Sequence, residues 1–383
     1  MKILHTSDWH LGKVIYNVSM IDDQRYFINE VLFKIVCREK PDLLIISGDI
    51  FDRQIASLEA IKLFDDFLTE ICKKHKIPVA IITGNHDSAD RISVASEILK
   101  DNGVYIVSYL NDKNKNIAVF DSTEKVNVVL LPYFDLQTAR SYLNNEEISL
   151  SEAYNKILCE IKESLNETDF NILVSHCFVT GTKNFSSEEN LSVGSVDEIN
   201  NEVFSGFDYV ALGHIHSPQN INSKIRYSGA PLKYSFDEPD KNKTISLIEI
   251  KGKSFNIKEI TINPKHNMRT IKGNFNEIIS QAKINPSNDY ICVELTDDKP
   301  IYMPMPQLRV YYPNILTVKS EWIKNINVDN ENILKNKIIS CSEKNEKYIF
   351  TQFLKEICNI EPEKDDYEIF DKVCKELRKE EEM

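Results

Sequence analysis

Five short stretches of this 383-residue chain carry side chains suited to holding metal ions. They are Asp8-Trp9-His10, Gly48-Asp49-Ile50-Phe51-Asp52-Arg53, Gly84-Asn85-His86-Asp87, Val174-Ser175-His176 and Gly213-His214-Ile215-His216. Together they offer seven nitrogen or oxygen donors and no thiolate: Asp8, His10, Asp49, Asn85, His176, His214 and His216. That set suits two ions of the Mn2+ class, admits Fe or Zn, and disfavours Ca2+. Two dications ~3.5–4 Å apart need a shared anionic group to offset their repulsion. Asp49, at the end of the apolar run Leu43-Leu44-Ile45-Ile46, is the natural bridge. Asp8, His10 and His216 would then complete one site, and Asn85, His176 and His214 the other. The chemistry of such a pair is phosphoester hydrolysis, with an activated water attacking phosphorus in line.

Each piece alone has an ordinary alternative. Asp8 could cap a helix, His10 could sit on a surface loop, and His176 could be a hydrogen-bonded core histidine. Their joint order, each at the end of a short apolar run, favours the metal reading. His86 lies in the same loop as Asn85, placed to act on the leaving oxygen as general acid or transition-state donor. Asp52 is a candidate to orient it. Arg53 and Lys13 are candidates for contacting substrate phosphate, or else solvated surface charges. Cys177 alternates to the face opposite His176 and reads as core, and Trp9 as buried packing. With no base-reading motif, any nucleic acid would be bound through backbone and shape.

The elements that must position these residues can be read in order. Lys2–Ser7 is a strand, Ile21–Arg38 a helix stopped by Pro41, and Asp42–Ser47 a second strand. Ser57 caps a helix with Leu58, Ile61, Phe64, Leu68 and Ile71 on one face, and Val79–Thr83 is the third strand. Strand, helix, strand, helix, strand implies a parallel α/β sheet. Asp90 reads as a further cap. Ile117–Phe120 and Val126–Leu131 form a hairpin or begin a second sheet. Ser151–Leu165 is helical. Asn171–Ser175 and Tyr209–Leu212 are strands that each end in histidine, with a polar, mobile loop Thr180–Gly194 between them. Thr244–Ile262 closes the first domain, residues 1–262, as a hairpin.

After Asn263 the pattern resets to a small α+β module, residues 263–340. Strands at Met268–Ile271, Tyr290–Leu295 and Ile315–Val318 accompany a helix at Asn274–Ala282 and a proline-rich crossing from Pro300 to Pro313. Residues 341–383 carry two amphipathic stripes beyond the charged stretch Ser342–Lys347. One is Ile349, Phe350, Phe353, Leu354 and Ile357, the other Ile369, Phe370, Val373 and Leu377. They fit a helical hairpin folded on its own chain, or a helix docked in a partner's groove.

Composition bounds the rest. A net charge of −13 argues against a protein that coats nucleic acid, though bound metals can invert the local sign and admit a phosphodiester. Eight scattered cysteines without a CxxC pair suggest neither a zinc ribbon nor a disulfide framework, and fit a reducing cytoplasm. No apolar run approaches the ~20 residues needed to cross a bilayer, and no membrane association is expected.

The series Asp8-x-His10, Gly48-Asp49-x-x-Asp52, Gly84-Asn85-His86-Asp87, His176 and Gly213-His214-x-His216 resembles the calcineurin-like metallophosphoesterase superfamily. The wording of Thr6-Ser7-Asp8-Trp9-His10-Leu11-Gly12, Tyr227-Ser228-Gly229-Ala230-Pro231 and Ser235-Phe236-Asp237-Glu238 is similar to its bacterial DNA-nuclease branch. The resemblance implies a four-layer α/β/β/α sandwich with a small α+β capping domain and a C-terminal helical segment. It further implies two Mn2+ ions, the leaving-group role for His86, and action on DNA double-strand ends and hairpins. Cleavage would be 3′-to-5′ exonucleolytic on duplexes and endonucleolytic on single strands. The implied partners are an SMC-type ATPase bound by the helical segment and a second copy of the chain, in a heterotetramer. Asp52 stands where archaeal and eukaryotic relatives carry histidine, which points to the bacterial branch. A phosphomonoesterase or cyclic-nucleotide phosphodiesterase, with the same metals, is the alternative.

Overall fold

The apolar runs that precede the donor motifs are too short and too rich in Ile, Leu and Val for helices, and they form strands. The computed structural model describes residues 1–110, 116–121, 124–182, 198–238, 242–299, 301–320, 350–351, 354–355 and 361–381, with backbone alone beyond 373. Contacts divide the chain into two units, Met1–Arg269 and Thr270–Met383. Besides a small hairpin of Val14–Ile15 and Val18–Ser19, the strands of the first unit are β1 (Lys2–Thr6), β2 (Leu43–Ser47), β3 (Val79–Ile82), β4 (Val104–Val107), β5 (Ile117–Asp121), β6 (Lys125–Leu131), β7 (Phe170–His176), β8 (Tyr209–Gly213), β9 (Gln219–Asn220), β10 (Ile225–Tyr227), β11 (Thr244–Lys251) and β12 (Ser254–Thr261).

They make two six-stranded sheets, ordered β12-β11-β1-β2-β3-β4 and β9-β10-β8-β7-β6-β5. β1, β2, β3 and β4 run parallel, as do β6, β7, β8 and β10. The segment 117–131 thus begins a second sheet, with β5 antiparallel on its edge.

Alternate residues of both sheets fill one shared core, among them Ile3, Ile45 and Ile82 against Val128, Ile172 and Ala211. The opposite face of the second sheet packs on helices α3 (Leu136–Leu143) and α4 (Leu150–Lys162), burying Leu150, Ala153, Ile157, Leu158 and Ile161. α4 starts at a capping box in which Ser149 and Glu152 satisfy each other's backbone N–H. On the outer face of the first sheet lie α1 (21–39) and α2 (Leu58–Thr69), the latter capped by Ser57 as expected. Helix, sheet, sheet and helix give four layers. Each fully buried aliphatic chain contributes about 1.5–3 kcal/mol over an exposed one.

Several expectations need correction. α2 does not bury Leu58 and Ile61, which are 85% and 43% exposed. It buries Ala60, Leu63, Phe64 and Phe67, with Ile71 beyond. The helix is apolar on two sides, and the small Ala60 lets one of them approach the loop at Gly12, while Phe67 meets Trp9 edge-on at 4.9 Å. Asp90 does not cap a helix. It lies inside the turn Ala89–Ile92, whose N-cap position is Ser88. α1 widens to π-type turns over Phe27–Leu32, a common device where a helix must turn its face. β4 and α3 were not anticipated, being short and weakly periodic.

In the second unit, β13 (Met268–Gly273), β14 (Tyr290–Leu295) and β15 (Ile315–Ser320) form a sheet in that order. Its core gathers Phe275, Ile278 and Ala282 of α5 (Phe275–Ile284) with Ile291, Val293 and Ile315. The proline-rich crossing contains α6 (Pro304–Arg309), with proline at its first turn, where the missing N–H costs nothing. In α7 (Lys364–Glu381), Phe370 stacks on Phe350 at 4.2 Å, whereas Ile369 and Val373 are exposed. The serine-rich stretch 183–194, the charged stretch 342–347 and stripe residues Ile349, Phe353 and Ile357 lie outside the described residues. Among the described residues no helix is long and apolar enough to cross a membrane.

Candidate metal centre

All seven expected donors come together at the carboxyl edge of the sandwich, where open α/β sheets place their chemistry. β1, β2 and β3 deliver Asp8, His10, Asp49 and Asn85 from one sheet; β7 and β8 deliver His176, His214 and His216 from the other. The first two loops stay zipped beyond their strands, with Asp8 N donating to Gly48 O (3.0 Å), His10 N to Asp49 O (3.0 Å) and Leu11 N to Ile50 O (2.8 Å). Asp8, His10, Asp49 and His214 adopt positive φ (54°, 46°, 51° and 101°), a region costly for side-chain-bearing residues and common at functional sites.

The glycines of these motifs are there because the loops touch. A Cβ on Gly84 would lie 2.1 Å from Asp49 Oδ1, and one on Gly213 1.9 Å from Ser47 O. On Gly48 it would meet His176 Nδ1 at 2.4 Å.

Asp49 Oδ2 is the centre of the cluster. It stands 3.6 Å from His10 Nε2 and 3.4 Å from His176 Nε2, one nitrogen from each half. His10 Nε2 and His216 Nε2 are 3.0 Å apart, close to the separation of two imidazoles ~2.1 Å from one ion at a right angle. On the other side, Asn85 Oδ1 lies 3.0 Å from His176 Nε2 and 3.1 Å from His214 Nδ1. His176 Nδ1 donates to Ser47 O (2.8 Å), which turns Nε2 toward the cluster. Asp8 accepts from His214 N through Oδ1 (2.9 Å), while its buried Oδ2 has no hydrogen-bond partner. Asp8, His10 and His216 form one compact donor group, Asp8, Asp49 and His176 another, and His10, Asp49 and His86 a third.

The electrostatics call for cations. Burial, with Asp49 adding to it, pushes Asp8 up to about 7. Asp87 is driven up to about 7 by the same two causes. Burial would raise Asp49 too, but the charge of His176 holds it well below the usual carboxylate range. Burial disfavours charge on His176, yet Asp49 and then Asp8 raise it to about 9. Burial depresses His10 and His214 to about 3, leaving neutral imidazoles fit to ligate. The orphaned Oδ2 of buried Asp8, the central carboxylate of Asp49 and four converging imidazoles fit two divalent ions.

His86 sits beside this cluster. Its backbone N–H donates to Asp49 Oδ1 (2.9 Å), and its ring packs edge-on against His10 at 4.8 Å. His86 Nδ1 donates to the backbone carbonyl of Asp52 (3.0 Å), so it is the main chain at 52 that turns the ring. The Asp52 carboxylate accepts instead from Lys13 Nζ (2.7 Å) and lies 3.7 Å from His10 Nδ1. Lys13 is thereby fixed at the rim, over the Tyr234 ring, whereas the Arg53 side chain is 76% exposed. Trp9 and Cys177 are buried core, as expected.

The supporting residues were harder to foresee. Asp87 clamps two loops together, accepting from Gly84 N (2.9 Å), Ile50 N (3.1 Å) and Phe51 N (2.9 Å). Gln24, a polar residue on the apolar side of α1, holds the loop of His10. Its position within that stripe was the available signal. Glu238 lies in the quoted stretch Ser235-Phe236-Asp237-Glu238 without its part being readable there, and Tyr234 and Lys243 gave no signal, because they act on backbone atoms far away in sequence.

Residues 1–218 match the calcineurin-like phosphoesterase family, and residues 264–357 match a domain described as the type 5 capsule protein repressor C-terminal domain. Two relatives both carry the name of the SbcD subunit of the nuclease SbcCD. The Staphylococcus epidermidis protein is 32% identical over 84% of this chain and 85% of its own. That of Staphylococcus saprophyticus is 31% identical over 87% and 88%. A solved dimetal phosphatase from Danio rerio aligns over 69% of this chain and 99% of its own with 12% identity and a TM-score of 0.39, too distant to support an argument. The chain belongs to the calcineurin-like phosphoesterases and, among them, to the SbcD family.

Proposed function

We propose that this protein is a Mn2+-dependent DNA nuclease subunit, a 3′-to-5′ exonuclease on duplex ends and an endonuclease on single strands. The observation that carries the reading is Asp49 Oδ2, flanked by a nitrogen from each half of a seven-donor cradle. Asp8, His10 and His216 would hold one ion and Asn85, His176 and His214 the other, with Asp49 placed to serve both. Bound there, the ions supply an activated water and neutralise charge gathering on the phosphoryl oxygens. The protein's own part is to hold its donors rigid and to manage the leaving group. His86 does the latter: with Nδ1 donating to Asp52 O, its imidazolium form presents Nε2–H to the departing sugar oxygen and returns to the neutral ring on giving up that proton. Asp52 acts through Lys13 and its own carbonyl, and Lys13 and Arg53 attract the phosphate backbone.

The proposed partners are DNA and SbcC, an SMC-type ATPase, in the cytoplasm. Residues 341–383 bind the ATPase, supported by exposed Ile369 and Val373 on α7, and residues 263–340 cap the DNA. Two copies pair within a heterotetramer, supported by exposed Leu58 and Ile61 on α2 and by exposed Val94 and Ile98 in the turn and short helix following β3. The test is hydrolysis of linear duplex DNA against a small aryl phosphate, both with Mn2+. Degradation of the duplex is expected; turnover of the aryl phosphate alone would favour a phosphomonoesterase. Co-purification with SbcC, with and without residues 343–383, tests the partnership.

A further inference from the structure

We propose that Gln24, Tyr234 and the Glu238–Lys243 pair are positioning residues for one ion site only, the one made by Asp8, His10 and His216. The inference rests on the two-ion reading and deepens it. Asp8 and His10 are held at φ 54° and 46°, a conformation that persists only where surroundings over-determine it. The determinants converge on the main chain of that loop. Gln24 Oε1 accepts from Gly12 N (2.9 Å), and its Nε2 donates to His10 O (2.7 Å) and to the Tyr234 hydroxyl (3.1 Å). That hydroxyl in turn donates to Trp9 O. Two elements remote in sequence, α1 and the segment after β10, thus grip the backbone on both sides of His10.

The same segment reaches the other ligand of this site. The Tyr234 ring stands edge-on to His10 at 5.7 Å and to His216 at 6.0 Å. Lys243 Nζ donates to His216 O (2.8 Å) and pairs with Glu238. Glu238 Oε1 accepts from Tyr234 N (2.7 Å) and Ser235 N (3.2 Å), so the ion pair locks the tyrosine into the brace. The two side chains are 1% and 8% exposed, and burying an ion pair is costly unless its geometry does something an apolar pair could not. Here it fixes a ligand backbone and a bracing ring at once. The second site is held by different means, chiefly Ser47 O on His176 and Asn85 between His176 and His214.

The test is calorimetric titration of the metal-stripped full chain with Mn2+, for the wild type, Gln24→Met and Tyr234→Phe. The second variant keeps the ring and removes one oxygen, so folding is not in question. Wild type should bind two ions in two steps. Each variant should weaken one step about tenfold or more and leave the other unmoved. Leu158→Ala, on the buried face of α4, is the control for general loosening and should move neither step. Variants that titrate like wild type, or in which both steps shift together, would overturn the brace. A wild type that binds fewer than two ions would sink the two-ion reading itself, and this assignment with it.

Discussion

At the scale of the residue, His86 is separable from the ions. His86→Ala should bind metal like the wild type and lose duplex cleavage by about 10²–10⁴-fold, the range a positioned proton donor contributes. Metal analysis beside a nuclease assay checks both halves, and undiminished cleavage would remove His86 from the mechanism. Gly84 makes the opposite case, a residue with no chemistry on which the centre depends. A methyl group there would stand 2.1 Å from Asp49 Oδ1 and 2.5 Å from Asp49 N, so either the bridge or the loop must move. Gly84→Ala should cost at least about 2 kcal/mol in urea unfolding and abolish binding of the ion pair.

At the scale of the element, His5 ties three strands together under the site. Its Nδ1 meets the Tyr209 hydroxyl on β8 and its Nε2 the Ser47 hydroxyl on β2, each at 2.9 Å. Burial, reinforced by the charge of Arg226, pushes its pKa down to about 3. The folded protein therefore refuses a proton that the unfolded chain accepts below about 6.5, and stability falls as pH drops through that window. Metal-free wild type should lose about 2 kcal/mol more than His5→Gln between pH 7 and pH 5. Equal losses in urea unfolding would show that His5 takes up its proton while folded.

Legibility follows the same division. Strand ends were readable because an apolar run, a small residue and a donor are neighbours in sequence, as in Leu212-Gly213-His214. The buried side of α2 was not, because two apolar stripes compete and only the contact of Ala60 with Gly12 chooses between them. The backbone-clamping roles of Asp87, Gln24 and Lys243 were not readable for a related reason. Each grips backbone atoms, which carry no trace of their partner in the side-chain alphabet.

At the scale of the whole molecule, ligands that bind only the folded state raise its stability by mass action. Stripping the protein with a chelator should lower its melting temperature, and Mn2+ should restore it; an unchanged melt would mean the donors hold no ion in the native state. The loss should also be local. Asp8, His10, Asp49 and Asn85 hang from one leaf of the sandwich, and His176, His214 and His216 from the other. A pair of ions shared between them is a rivet through both leaves at a single margin. With the rivet drawn, that margin is free to gape while the far hydrophobic seam stays shut. Amide exchange should then quicken first at Gly48–Asp49 and Gly213–His214, long before Ile172 or Ile248 feel any change.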